Sequence, residues 1–245
     1  MVVYEKVTSG SESVIEAVCY QAHLGTDCGL DEITAAPGKF FRQPDVACSP
    51  LEGECLVGYN RMSQSGNDSH VYGKICKPDL SWCSAEIDIT KRSFPPQFNT
   101  ALASGSDEYL AVWRDVYDNG TDVLNARRIG ADGSQKSIIP ITPDSQGFIG
   151  NPTVAYGDSG HYLVISYVDE DVFGRFIRGG KNEPEGEIFF ISRTEAKPFS
   201  LDVACGEYSP CLVPYAEGEN WSNFDIRARL VGHWRRIQIP VLFRD

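Results

Sequence analysis

The residues with types and spacing suited to chemistry are cysteines first. Eight fall in four close pairs, Cys19/Cys28, Cys48/Cys55, Cys76/Cys83 and Cys205/Cys211. A zinc knuckle brings two ligands at a spacing of about two to four intervening residues, tighter than any of these pairs. Separations of six to nine residues instead suit two strands joined by a turn, which brings the Cβ atoms within bridging distance. Four local disulfides imply an oxidising compartment, so the chain is expected to be secreted or at a cell surface. Chain entropy assigns each such bridge about 2–3 kcal/mol. Sequons at Asn67, Asn119 and Asn220 are compatible with export. The opening MVVYEKVTSG has neither the basic nor the apolar region of an export signal, which is therefore expected to have been removed or to lie on a longer precursor.

Other side chains offer narrower chemistry. Two runs are rich in oxygen ligands: Asp115, Asp118, Asn119 and Asp122 in DVYDNGTD, and Asp169, Glu170 and Asp171. Oxygen-rich loops suit Ca²⁺, the one cofactor the sequence suggests, although the spacing departs from the D-x-[DN]-x-[DN]-G loop. Trp82, Trp221 and Trp234 lie in turn-rich segments, where exposed aromatics stack on sugar rings or anchor a protein partner; loop packing is the plainer reading. GDSG at Gly157–Gly160 resembles a serine-nucleophile loop but stands where the other repeats place a turn, with no matching His and Asp motif. His23, His70, His161 and His233 fall in turns of different units, which predicts solvated side chains. No catalytic residue is assigned.

Composition narrows the classes. With 22 Lys and Arg against 34 Asp and Glu, the net charge of −12 repels phosphate backbones and anionic lipid, which excludes nucleic acid as a partner. No apolar window is long enough for a transmembrane helix, so no membrane insertion is expected.

A repeat of about fifty residues must position these groups. Gln43–Tyr59 (QPDVACSPLEGECLVGY) aligns without a gap on Gln97–Trp113 (QFNTALASGSDEYLAVW); Pro152–Ser166 and Leu201–Tyr215 align with one residue fewer. The markers Tyr4, Tyr59, Trp113, Ser166 and Tyr215 step by 55, 54, 53 and 49 residues. The five units run approximately 1–42, 43–96, 97–150, 151–199 and 200–245. Each continues into a third strand carrying a small residue (Gly73, Ala126, Gly174, Ala228) and then a base (Lys74, Arg127, Arg175, Arg229), expected to pair with a carboxylate of the adjacent unit. A fourth apolar strand follows. Alternation, β-branched enrichment and Gly/Asp/Pro turns mark all of these as strands. Cys48/Cys55 and Cys205/Cys211 share one repeat position, between strands one and two, where other units place Leu102/Tyr109 and Tyr156/Tyr162. Cys19/Cys28 and Cys76/Cys83 share a second, between strands three and four.

Four short strands per unit predict an all-β propeller of about five four-stranded blades, forming one domain, with the first blade lacking its inner strand in this chain. NPTVAYGDSGHYLVIS, DEYLAVWRDVYDNGTDVLNARRIGADG and DEDVFGRFI resemble the propeller repeats of secreted and cell-surface bacterial proteins. The resemblance implies propeller architecture and an extracellular setting, and transfers no site. The function expected is an extracytoplasmic binding or surface-display module contacting carbohydrate or protein through loops on one face. A carbohydrate-active hydrolase with an acidic central pocket is the alternative, and a structural piece of a longer surface protein, with the first blade completed by a neighbour, is the third reading. An inner lining of Ala47, Ala101, Ala155 and Ala204 favours a scaffold; two carboxylates converging on the axis favour the enzyme.

Overall fold

Period-two alternation and frequent turn residues give a chain that is entirely β, with no helix among the described residues. The computed structural model describes residues 1–9, 12–21, 26–34, 39–51, 53–63, 68–92, 94–142, 145–146, 148–157, 159–193, 197–207, 209–220, 223–233 and 239–242. Side chains are described for these as well, except at 9, 20–21, 26–30, 145–146, 197, 199, 209, 219–220 and 239–242.

Five antiparallel sheets follow one another along the chain. The first holds β1 (Val2–Ser9), β2 (Glu12–Gln21) and β3 (Thr26–Thr34), three strands in sequence order. The second holds β4 (Lys39–Cys48), β5 (Cys55–Ser63), β6 (Ser69–Cys76) and β7 (Ile87–Asp88). The third holds β8 (Gln97–Ser104), β9 (Glu108–Val116), β10 (Thr121–Gly130) and β11 (Gln135–Pro140), with β12 (Ser145–Gln146) also on β10. The fourth holds β13 (Thr153–Gly157), β14 (His161–Val168), β15 (Asp171–Arg178) and β16 (Pro184–Arg193). The fifth joins β17 (Lys197–Leu201) and β18 (Ala204–Gly206) to β19 (Ser209–Asn220), then β20 (Asn223–Val231) and β21 (Ile239–Leu242). The three-stranded first sheet matches the missing inner strand.

The second, third and fourth sheets are apolar on both faces because each is covered on both. Ala47, Leu56, Ile75 and Ile89 of the second sheet pack on Leu102, Tyr109, Ala111 and Trp113 of the third. Leu110, Val112 and Leu124 of the third meet Tyr162, Val164 and Phe173 of the fourth. Leu163, Ile165 and Phe176 of the fourth meet Val213, Tyr215 and Val231 of the fifth. Ile15 and Ala17 of the first meet Phe41, Val57 and Tyr59 of the second. A central strand such as β9 is therefore buried along most of its length. The small residue in each third strand answers to this packing: a Cβ on Gly73 would lie 2.9 Å from the Val57 carbonyl oxygen, and one on Gly174 2.8 Å from the Phe189 ring.

Three of the four bases that follow those small residues reach the preceding sheet, where they meet carbonyls rather than carboxylates. Lys74 donates to the Ile33 carbonyl at 2.6 Å, Arg127 to that of Ile89, and Arg175 to that of Ile141 at 2.5 Å. The acceptor is the main chain at the same buried isoleucine of each preceding unit. A charged donor so placed satisfies a carbonyl outside the ladder pairs, at the register shift in β3 and just past the ends of β7 and β11.

Disulfides join Cys48 to Cys55, Cys76 to Cys83 and Cys205 to Cys211. Cys19 is also disulfide-bonded, while the side chain of Cys28 lies outside the described residues. Where cysteines are absent, Tyr156 does stand opposite Tyr162, with rings 4.8 Å apart. Tyr109, however, faces Ser104 rather than Leu102, because the third sheet's first hairpin is tighter.

Candidate functional site

The strand order sorts the loops onto two faces. The hairpins between second and third strands and the connections entering each new sheet share one, here the connection face. The hairpins that carry the disulfides share the other, the stapled face.

On the connection face Phe94 and Phe148 are 57% and 55% exposed, high for large apolar rings. They stand 54 residues apart at one repeat position, and Phe40 precedes them by the same interval. Each is braced by a tyrosine from the adjoining hairpin, Phe94 by Tyr117 with centroids 6.2 Å apart and Phe148 by Tyr167 at 6.1 Å. The Arg114 guanidinium lies 4.8 Å from the Phe148 ring centroid, and that of Arg42 lies 5.4 Å from Phe40. Phe94 and Phe148 lie in turn-rich connections outside the aligned strands; extending the repeat backwards by a few residues would have found them.

The acids proposed as calcium ligands divide. Asp118, Asn119 and Asp169 are exposed on the connection face, and Asp171 begins β15 half-buried. Asn119 accepts from the Thr121 N–H, and the Asp169 N–H donates to the Phe148 carbonyl. Asp115 is instead fully buried: Trp113 Nε1–H donates to it at 2.8 Å, Asn125 Nδ2 at 2.8 Å and Arg92 Nη1 at 3.3 Å. Burial pushes its carboxyl up, against the opposing pull of Trp113, Arg92 and Asn125. Asp122 accepts from the Ile149 N–H and lies 3.8 Å from Arg114. Two of the six therefore tie connections to strands, and the acids do not gather into one cluster among the described residues. Trp82 is half-exposed on the stapled face, beside the Cys76–Cys83 bridge, and Trp221 and Trp234 lie outside the described residues.

Toward the inner strands, one repeat position is polar throughout: Asp45, Asn99, Thr153 and Asp202. Asp45 accepts from its neighbour Val46 at 2.8 Å and from Leu102 of the next sheet at 2.7 Å. Burial raises its carboxyl, and the Asp202 charge adds to the rise. Thr153 Oγ1 approaches Asp202 at 3.5 Å. Ala47 and Ala101 are buried, Ala155 is half-buried and Ala204 is exposed. At GDSG the Gly160 N–H donates to the Gly157 carbonyl and Ser159 lies in the left-handed region at φ 64°, while Asp158 lies outside the described residues.

The histidines depart from the expectation of solvated turns. His161 is buried, and its ring stacks on His233 with centroids 3.9 Å apart and planes 19° apart. His161 Nε2 lies 2.9 Å from Glu185 Oε2, and His233 Nε2 lies 3.5 Å from Glu185 Oε1. All three stand on the stapled face, His161 and Glu185 from the fourth sheet and His233 just beyond β20 of the fifth. Beside them opens a pocket of about 150 Å³ lined by Phe176, Glu185, Glu187, Phe189, Val231 and His233. The turns are distant in sequence, so no local spacing announces the meeting.

No family model and no curated protein sequence matches the chain. Among solved structures it is similar to an α-L-arabinofuranosidase from Lactobacillus brevis, with a TM-score of 0.53 and 8% identity over 93% of this chain and 85% of that one. It is likewise similar to an endo-arabinase from Bacteroides thetaiotaomicron, with a TM-score of 0.53 and 8% identity over 83% and 81%. Cobalt-substituted apocarotenoid oxygenase from Synechocystis gives a TM-score of 0.57 and 12% identity over 98% of this chain and 57% of that chain. At such identities the likeness shows the fold, an all-β propeller, and nothing finer.

Proposed function

We propose that the chain is an extracytoplasmic propeller module that recognises carbohydrate on its connection face. The observation that carries this reading is the pair of exposed, tyrosine-braced rings, Phe94 and Phe148, at one repeat position. A pyranose or furanose offers an apolar C–H face to such a ring, and bracing lowers the entropy lost on contact. Asp118, Asp169 and Glu170, exposed on the same face, supply acceptors for the remaining hydroxyls. The arabinofuranosidase and endo-arabinase that share the fold support sugar as the ligand class. Three disulfides, with no free cysteine among the described residues, support a setting outside the cytosol.

The test is a titration with arabino-oligosaccharides and other plant and bacterial glycans, followed by calorimetry. Phe94→Ala and Phe148→Ala should each weaken binding by about tenfold, equivalent to about 1.4 kcal/mol. Unchanged affinity in both variants overturns the proposed face.

Hydrolysis is the second reading, and its support is Asp45, whose carboxyl is raised beside Asp202. Both Asp45 oxygens accept main-chain N–H groups, however, which suits a strap between inner strands better than an acid aimed at a glycosidic oxygen. Release of reducing sugar by the wild type, abolished in Asp45→Asn, would favour the enzyme.

A further inference from the structure

We infer that His161, Glu185 and His233 form a transition-metal site, suited to Zn²⁺, that clamps the fourth sheet to the fifth on the stapled face. It lies on the face opposite the proposed sugar site and does not depend on it.

The donor set comes first. Two imidazoles and one carboxylate are borderline ligands that suit Zn²⁺, whereas Ca²⁺ takes six or more oxygens. With metal–ligand distances of about 2.0–2.1 Å, the donors of a tetrahedral zinc ion lie roughly 3.3–3.4 Å apart. The imidazole-to-carboxylate separations, 2.9 Å from His161 to Oε2 and 3.5 Å from His233 to Oε1 of Glu185, lie on either side of that value. One donor atom from each residue lies within 4.8 Å of the other two. The stacked rings need only open by a tilt for both nitrogen lone pairs to meet one ion. Three protein ligands leave a fourth position, and the adjoining pocket, which Glu185 and His233 also line, gives it room for water.

The second observation is a contrast with the third unit. At the corresponding place between the third and fourth sheets, Glu108 and Arg128 close the junction as a buried ion pair at 2.6 Å. The alignment puts His161 where the third unit has Glu108, and Phe176 where it has Arg128. No cation stands at that position in the fourth unit, as none does at Ile75 or Leu230, and a second imidazole and a carboxylate converge on His161. The surrounding charge also favours a cation, since the chain carries −12 overall and Glu187 lines the same pocket. Among the described residues no cysteine is free, so no thiolate competes for the ion.

The experiment is equilibrium dialysis of the oxidised protein against Zn²⁺, with bound metal counted by mass spectrometry and thermal unfolding followed alongside. The wild type should hold one Zn²⁺ per chain, with a Zn²⁺-dependent rise in Tm that EDTA reverses. Glu185→Gln, isosteric and at a half-exposed position, should weaken binding by more than the ~10–100-fold that outer-shell changes produce, and His233→Ala should do the same. His70→Ala removes an imidazole 2.5 Å from Asp68, far from this cluster in the fold, and should leave the stoichiometry at one. No stoichiometric Zn²⁺ in the wild type overturns the inference. So does full retention of binding by a folded Glu185→Gln, or loss of the ion in His70→Ala. Sugar binding by Glu185→Gln should match the wild type, so each reading can fail without the other.

Discussion

Buried acids show how single residues here trade charge for order. Asp115 holds the Trp113 indole, the Asn125 amide and Arg92 at one point under the connection face. Asp115→Ala leaves an indole N–H and an amide buried without their acceptor, and should cost about 2–4 kcal/mol in urea unfolding. Asp45 makes a different prediction, through pH. Its folded-state carboxyl is raised, chiefly by burial, so its contribution to stability is full below the unfolded value near ~3.9 and is lost as pH rises through the folded value. Asp45→Asn removes that dependence. Wild-type stability measured relative to Asp45→Asn should therefore increase as pH falls from neutrality toward that value; a difference independent of pH would refute the assignment.

At the scale of strands and sheets, stability depends on close approach. Gly73 sits where a Cβ would press on the Val57 carbonyl and the Ile89 side chain, so Gly73→Ala should lose about 1–3 kcal/mol although alanine favours order in the unfolded chain. Equal or greater stability in denaturant would show that the sheets have slack. Much of this level was legible in the sequence. The fifty-residue period exposed the strands, and cysteines at equivalent positions fixed which hairpins are stapled. The partner of each recurring base was not legible, because a main-chain carbonyl leaves no mark in residue identity. Nor was the His161–His233 stack, which joins hairpin ends of two different sheets and exists only once those sheets pack. Phe94 and Phe148 were missed for another reason: the pattern was traced through apolar strands, and these rings stand just ahead of them.

For the whole molecule, stacked sheets make a rigid frame with two separate faces. The stapled face carries disulfides and the His–Glu–His cluster, groups that tie hairpins and sheets together. The connection face carries exposed aromatic rings and acids, which do little for packing and are suited to contact. That division of labour is the central claim, and a glycan array tests it most directly, probed with oxidised wild type, Phe94→Ala/Phe148→Ala and Glu185→Gln. Saturable binding to one sugar class by wild type and Glu185→Gln, lost in the double phenylalanine variant, is the result expected. A blank array, or binding that survives removal of both rings, would contradict it.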